Sequence, residues 1–338
     1  MKIGESTYQF QSNPKIVSTG VIGGPFEAGS NLASDFDQCK DDLWMEQKSF
    51  EKAQQLLLEE AADVAIEKEN ISASQVDLFI SGDLLNQMTP STFAAKTIGR
   101  PYVGMFSACA TTTEGLALAA MMTNNLGANY VLTGCASHNA ATERQYRYPT
   151  EYGGQKPPTA QWTVTGAGTA LISLTGKGPS ITTATFGKVI DMGMTDPFHM
   201  GGAMAPAAVD TIMTHFKDRN IDPFYYDLVI TGDLGKIGSQ ICFDLLQEKG
   251  LQLKQEQYDD CGVMLYKESQ PVNAGGSGAA CPAVVAYGHI WKQLKDKNLE
   301  KVLFVATGSL HSPLTVQQGD SIPAIAHAVS IENVGGGQ

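Results

Sequence analysis

An internal repeat constrains the fold of this chain more than any other feature of its sequence. Residues 76–84 read VDLFISGDL and residues 226–234 read YDLVITGDL, an apolar run that ends each time in Gly-Asp-Leu. Two further echoes follow in the same order, pairing 108–109 (AC) with 280–281 (AC) and 130–134 (YVLTG) with 305–308 (VATG). Three echoes in one order indicate a duplicated unit.

Each half of the chain alternates apolar strands with helices, which predicts a duplicated α/β fold. The length of 338 residues and the hydrophobic content of 43% suit one large core or two fused ones. The stretch 175–180 (TGKGPS) separates the two halves. We therefore predict a first half at 1–178 and a second at 179–338.

Local signals place several helices. Ser49 is a suitable N-cap for a helix with apolar residues on one face, and Ser72 with Gln75 forms a capping box before the strand at 76. Helices are also predicted at 112–122, 239–249 and 283–297.

Charge and composition exclude several classes of function. The formal net charge is −12, which opposes binding to nucleic acid and unaided binding to an anionic lipid surface. The start of the chain lacks the apolar core of a signal peptide, and no run approaches the ~18 apolar residues of a membrane span. We predict a soluble chain whose membrane association is peripheral.

The cysteines and histidines show no metal-binding spacing. The six cysteines include no CxxC pair, and the six histidines include no HxxxH pair. The glycine motifs also miss the spacing of nucleotide-binding loops. We therefore predict no structural zinc, no disulfide framework and no bound cofactor.

Cys109 is the leading candidate for chemistry. It lies in Ser-Ala-Cys-Ala-Thr between a predicted buried strand at 103–106 and the predicted helix at 112–122. A helix N-terminus favours a thiolate over a thiol and attracts anions. The alternative is a small buried cysteine that packs like alanine.

Several longer runs resemble one known family. They read GDLLNQ (82–87), SHNAATERQYRYPTEYGGQKP (137–157), TVTGAG (163–168), DPFHMGGAMAPAAVDT (196–211) and AGGSGAAC (274–281). The sequence resembles the stage V sporulation protein AD family, of the thiolase and ketoacyl synthase III type, from about residue 3 to 332. The resemblance implies a thiolase-like five-layer αβαβα fold with two duplicated halves.

The resemblance also implies a function. Members look like inactive condensing enzymes that bind dipicolinic acid, with or without calcium, as it enters or leaves the spore core, beside membrane proteins of the same sporulation operon. It further implies a homodimer paired through an edge strand near 102–106 or 130–134. An active acyltransferase using Cys109 and a scaffold with a vestigial pocket stay open as alternatives.

Condensing enzymes of this type use a cysteine, a histidine and an asparagine. By resemblance, Cys109 occupies the cysteine position, 232–235 (GDLG) the histidine motif and 275–278 (GGSG) the asparagine turn. Asp233, Gly276 and Ser277 would then line the pocket without the neutral donors of an oxyanion hole. Since one such donor is worth ~10²- to 10³-fold in rate, condensation should be lost.

A pocket with a helix N-terminus suits a dicarboxylate. One carboxylate would accept N–H groups around Cys109 and Ala110. Arg144, with Arg147 and Lys156 behind it, would bind the second. Alternatively, Arg144 and Arg147 pair with acidic neighbours, Glu143 and Glu151. Tyrosines 146, 148 and 152 are candidates to stack on the ring, against simple packing.

Four further polar residues complete the predicted site. His138 and Asn139 lie in a polar turn expected opposite the cysteine helix, and His311 occupies the corresponding turn of the second half. Glu114 is expected at the start of the helix or on the pocket floor. Asp83 lies outside this predicted set; it either caps the following helix or binds calcium, and the cap is favoured.

Overall fold

Ten strands in two sets of five form the framework. The computed structural model describes residues 1–146 and 156–334. The first set comprises β1 (Lys15–Gly23), β2 (Leu78–Gly82), β3 (Tyr102–Gly104), β4 (Val131–Ser137) and β5 (Gly166–Ser173). The second comprises β6 (Ser180–Phe186), β7 (Leu228–Thr231), β8 (Tyr258–Asp260), β9 (Lys301–Ser309) and β10 (Ala324–Glu332). Short two- and three-residue strands lie at Lys2–Ile3, Thr7–Gln9, Gln38–Cys39, Trp162–Thr163 and Gly276–Ser277.

Both sets have the same topology. The strand order is β3-β2-β4-β5-β1 in the first and β8-β7-β9-β10-β6 in the second, with parallel and antiparallel pairs at matching places. Asp77 before β2 accepts the N–H groups of Asn129 and Tyr130, and Asp227 before β7 accepts those of Glu300 and Lys301. The repeated motifs therefore occupy equivalent positions, and the predicted duplication is confirmed.

Helices connect the strands. They are α1 (Phe50–Lys68), α2 (Thr89–Ile98), α3 (Thr111–Leu126), α4 (Asn139–Tyr146), α5 (Met200–Arg219), α6 (Gly235–Glu248), α7 (Cys261–Leu265), α8 (Ala280–Val284), α9 (Trp291–Lys295) and α10 (Pro313–Gln317). A π-helical stretch, Val285–Ile290, joins α8 to α9. Short 3₁₀ turns lie at Glu27–Gly29, Ala33–Asp35, Ala73–Gln75, Asn86–Met88, Ala108–Ala110 and Gln255–Gln257.

The described helices and sheets form five layers, with hydrophobic clusters packed between them. One packs α1 and α2 against the outer face of the first sheet, and another packs α5 and α6 against the outer face of the second. The third surrounds α3 and the α8–α9 helix between the two sheets. Alternating helical and sheet layers confirm the predicted αβαβα fold, with the predicted helices at 112–122 and 283–297 in its centre.

The local capping signals also match the structure. The Ser49 side chain accepts the N–H of Lys52 at the start of α1, and Ser72 forms its capping box with Gln75. The chain crosses from β5 to β6 through residues 174–179, so the boundary at 178/179 falls in this connection and stays a prediction. Within the described ranges, no helix has both the length and the apolar character needed to cross a membrane.

The strand predicted at 103–106 is shorter and more exposed than expected. β3 spans 102–104 and pairs only with β2 in the described chain, so it forms the edge of the first sheet. Val103 is 42% exposed and Phe106 58%. The prediction of a buried strand was wrong because a short apolar run does not reveal whether it has one neighbour or two. The other proposed dimer edge, 130–134, lies largely in β4 between β2 and β5, so it is not an edge.

Candidate functional site

The candidate site lies between the two halves, where the parallel strands end. Cys109 sits in the 3₁₀ turn immediately before α3, and the preceding Ala108 adopts a left-handed backbone with φ of 49°. Gly308 in β9 permits this turn to approach, since a Cβ there would lie 2.3 Å from the Ser107 carbonyl oxygen. Residues of the second half therefore pack directly on the cysteine turn.

Asp233 is the buried acid of this site. Its Oδ2 accepts the Ser277 hydroxyl at 2.9 Å and the Gly278 N–H at 3.2 Å, and its Oδ1 accepts the Thr307 hydroxyl at 3.1 Å. Burial raises the pKa of Asp233 to about 6, although these donors and the neighbouring Cys109 thiol oppose the shift. The predicted residues Cys109, Asp233 and Ser277 are thus brought together.

The environment of Cys109 disfavours a thiolate. Burial raises the pKa of its thiol well above the usual value, and the Asp233 carboxyl beside it raises it further. The Ala110 N–H donates to the Ser107 carbonyl at 3.1 Å, so it is not free for an anion. The predicted thiolate and the predicted Ala110 donor were therefore wrong, since the helix N-terminus is outweighed by burial and by a neighbouring acid. Cys109 fits the alternative of a buried thiol, with 6% exposure.

Gln161 joins the two turns that carry the acid and its donors. Its Nε2 donates to the Asp233 carbonyl at 2.7 Å and to the Gly276 carbonyl at 3.0 Å. The strand Gly276–Ser277 also pairs with Trp162–Thr163. Sequence reasoning missed Gln161, because its partners are remote along the chain and no local motif marks it.

Two aromatic rings stand beside the cysteine. The rings of Tyr146, at the end of α4, and His311 lie 5.4 Å apart, and the Tyr146 hydroxyl donates to the Leu84 carbonyl. Burial, followed by the Cys109 thiol, raises the pKa of Tyr146 to about 12. His311 thus lies in the predicted region, and Tyr146 packs against it.

Arg144 does not face this region. Its guanidinium forms an ion pair with Glu51 on α1, and 57% of the side chain is exposed. This corresponds to the surface alternative, with Glu51 in place of the expected acids. Lys156 pairs with Glu143 at 3.1 Å. The remaining residues of this prediction, Arg147, Tyr148, Glu151 and Tyr152, lie outside the described residues.

His138 and Asn139 are structural in their contacts. The His138 Nε2 lies 2.9 Å from the Leu43 carbonyl, and its ring stacks on Phe50. Burial lowers the pKa of the imidazole, although the contact with the Leu43 carbonyl opposes this shift. Asn139 donates from its backbone and side chain to Thr165 and Thr163. The prediction that His138 lines the cysteine pocket was wrong, because the chain turns at the end of β4 and directs the ring towards α1.

The two remaining predicted acids lie near the helix starts. Glu114 is in the first turn of α3, and its buried Oε2 has no hydrogen-bond partner among the described residues. Asp83 accepts the N–H of Leu85 and both the N–H and hydroxyl of Ser91, which confirms the favoured cap. No three His, Cys, Asp or Glu side chains converge to hold a metal in the part of the chain that the structure describes.

Two further buried acids were missed from the sequence. Asp260 accepts the N–H groups of Leu234, Gly235 and Gly262, and burial raises its pKa to about 7. Glu27 accepts the Tyr266 hydroxyl at 2.5 Å, and burial also raises its pKa to about 7. The one sequence signal was the motif Asp-Asp-Cys-Gly at 259–262, in which Asp260 precedes a glycine by two residues, a spacing typical of a helix cap.

Comparisons with known proteins agree with this fold. The family model described as stage V sporulation protein AD matches residues 4–332. The stage V sporulation protein AD of Bacillus subtilis (strain 168) is 48% identical over 333 residues, which cover 98% of each chain. The 3-oxoacyl-acyl-carrier-protein synthase III from Aquifex aeolicus VF5 superposes with a TM-score of 0.57 at 15% identity, over 95% of this chain and 100% of that one. An OleA variant from Xanthomonas campestris, solved with lauric acid and lauroyl-CoA, gives 0.61 at 12% identity, over 95% and 99%. The chain therefore belongs to the stage V sporulation protein AD family, and its fold is that of the thiolase-like condensing enzymes.

Proposed function

We propose that this protein binds dipicolinic acid without catalysis in the pocket beside Cys109. In this role it supports uptake of the ligand into the developing spore and its release on germination, together with membrane proteins of the same operon. Family membership supports the sporulation role. The observation that carries the non-catalytic part is the contact between the Cys109 thiol and the buried Asp233.

This contact opposes acyl transfer in two ways. The reactive form of a cysteine nucleophile is the thiolate, whereas a neighbouring carboxyl group raises the pKa of the thiol. An oxyanion also needs free N–H donors, whereas the Gly278 N–H already donates to Asp233. The carboxylate would further repel the negative charge that develops during condensation.

The same site suits a planar ligand. The Tyr146 and His311 rings offer aromatic faces beside the buried thiol. A dicarboxylate meets the Asp233 carboxylate at neutral pH, and this repulsion is avoided when calcium neutralises the ligand as a chelate. Calcium dipicolinate is therefore a better ligand for this site than the free dianion. Arg144, which faces away, does not contact the ligand.

Calorimetric titration with dipicolinate, alone and with calcium, tests the binding. The wild type should bind, and Tyr146→Ala should weaken binding about tenfold because an aromatic contact is lost. Arg144→Ala is the matched control on the same helix and should change binding less than threefold, or about 0.6 kcal/mol. Absence of binding by the folded wild type in both titrations would leave a scaffold role instead.

Mass spectrometry after incubation with acyl-CoA tests the absence of catalysis. Cys109 should stay unmodified, and Cys109→Ser should keep its dipicolinate binding, since the thiol contributes shape and not a covalent bond. An acyl group on Cys109, with turnover that disappears in Cys109→Ala, would favour an active acyltransferase and overturn the proposal.

A further inference from the structure

A basic groove lies at the opposite end of the molecule from Cys109. β5 begins at Gly166 beside the end of β4, and its last residue, Ser173, pairs with Lys15 at the start of β1. The segment that connects the two halves, residues 174–179, begins where β5 ends, at this opposite end of the molecule. There it borders a cavity of about 490 Å³, whose lining includes Lys68, Glu69, Lys177, Gly178, Trp291 and Lys295.

Three lysines and one glutamate line this basic groove, although the whole chain carries a net charge of −12. Lys68 donates to Asp37 at 2.6 Å and to the Thr19 carbonyl at 2.8 Å, so its charge is already paired. Lys177 and Lys295 have no carboxylate partner within the described chain. The lining therefore presents two ammonium groups that form no ion pair with a described residue, and Glu69 contributes its one carboxylate.

The walls of the groove are fixed by the fold. The Trp291 indole N–H donates to the Ile16 carbonyl at 3.1 Å, and Lys295 lies over the indole ring, 4.7 Å from its centre. The Lys15 ammonium donates to the Gly176 carbonyl at 3.1 Å. Gly178 is held so close to β1 that a Cβ would lie 2.1 Å from the Ile16 carbonyl oxygen. The ammonium-bearing segments are thus ordered without a ligand, which lowers the entropic cost of binding one.

We propose that the basic groove binds a phosphate group. A phosphate carries up to two negative charges, which match the charges of the Lys177 and Lys295 ammonium groups, and lysine binds phosphate as a point charge. Lys68, in the last turn of α1, offsets the negative end of that helix. A free phosphate and a phospholipid headgroup share this chemistry.

Binding experiments on the full chain separate these sources. Inorganic phosphate is titrated by calorimetry, and flotation is measured with phosphatidylglycerol and phosphatidylcholine vesicles. Binding of phosphate alone indicates a soluble phosphate ligand, whereas binding to phosphatidylglycerol but not phosphatidylcholine indicates a headgroup. Either result supports the groove, and the test is independent of dipicolinate because it concerns the opposite end of the molecule.

Paired substitutions locate the site. Lys177→Gln with Lys295→Gln should weaken binding at least tenfold and leave the thermal unfolding midpoint within a few degrees of the wild type. The matched control, Lys96→Gln with Lys249→Gln, removes two exposed lysines outside the groove and should bind like the wild type. Failure of the wild type to bind either probe, or equal losses in the two double variants, would overturn the proposal.

Discussion

At the scale of single residues, three of the buried carboxyl groups in the described chain have pKa values raised to about 6 or 7. Asp233, Asp260 and Glu27 are all fully buried, and burial raises their pKa values to about 6, 7 and 7. Each accepts hydrogen bonds from segments remote in sequence, so each fixes a loop at the cost of desolvation. Because these groups bind protons more tightly in the folded state than in the unfolded chain, folding should depend on pH in the acid range.

We expect Asp233→Asn to remove part of this dependence. The ordinary pKa of 3.8 applies when the chain is unfolded and about 6 when it is folded. The folded state therefore holds the extra proton between these values, and the wild type loses up to about 3 kcal/mol of stability as pH rises from 4 to 6. The amide of the Asp233→Asn variant has no proton to lose, so this variant should gain in stability relative to the wild type over that range.

Urea denaturation at pH 4, 5, 6 and 7 measures this difference in the free energy of unfolding. The exposed acid variant Asp41→Asn is the control and should follow the wild type at each pH. A constant offset between Asp233→Asn and the wild type at all four pH values would contradict the expectation.

The sequence predicted the place of the site better than the direction of its side chains. Cys109 and Asp233 could be located because each follows a recognisable strand-and-turn motif. Arg144 and Tyr146 are two residues apart on α4, so only one of them can face the cysteine, and the spacing alone does not show which. The pKa of Cys109 likewise depends on Asp233, which lies in the other half of the chain.

At the scale of elements, local signals were the reliable ones. The cap of α1 and the capping box at Ser72 involve residues within one turn, so the sequence contains the whole interaction. The edge position of β3 depends instead on which strands surround it, and the sequence does not specify that. The contact between α5 and α6 likewise depends on how distant segments of the chain pack, so local sequence signals do not predict it.

We expect Gly238→Ala to destabilise the contact between α5 and α6. A Cβ at Gly238 would lie 2.6 Å from the backbone carbonyl atoms of Gly201, which cannot move without shifting α5. The free energy of unfolding should fall by about 1 to 3 kcal/mol, which exceeds the gain of up to about 1 kcal/mol from better helix propensity.

Chemical denaturation compares this variant with Gly29→Ala. Gly29 lies in open space, where the nearest atom to an added Cβ is a side-chain nitrogen of Gln270 at 3.9 Å, so its substitution should be nearly neutral. A Gly238→Ala variant as stable as the wild type would mean that the two helices do not approach this closely.

At the scale of the whole molecule, duplication explains why the site lies where it does. The carboxyl ends of the parallel strands of both halves meet around Cys109, so each half contributes one wall: α3 and α4 from the first, Asp233 and His311 from the second. The connection between the halves runs past the opposite end, where the basic groove lies. The two proposed ligands would thus bind at separate ends of one molecule.

The exposed edge of the first sheet predicts a homodimer. β3 has one paired neighbour in the described chain, and Val103 and Phe106 expose 42% and 58% of their surface beside its free backbone groups. A second copy related by a two-fold axis would pair with this edge and cover both side chains.

Light scattering at micromolar concentration should give twice the mass of the chain. Phe106→Asp should weaken dimerisation at least a hundredfold, since a charge would be buried in the contact. Leu126→Asp changes an apolar residue that is 71% exposed on α3 and should leave the dimer intact. A monomeric wild type, or a dimer that Phe106→Asp does not weaken, would exclude pairing through β3.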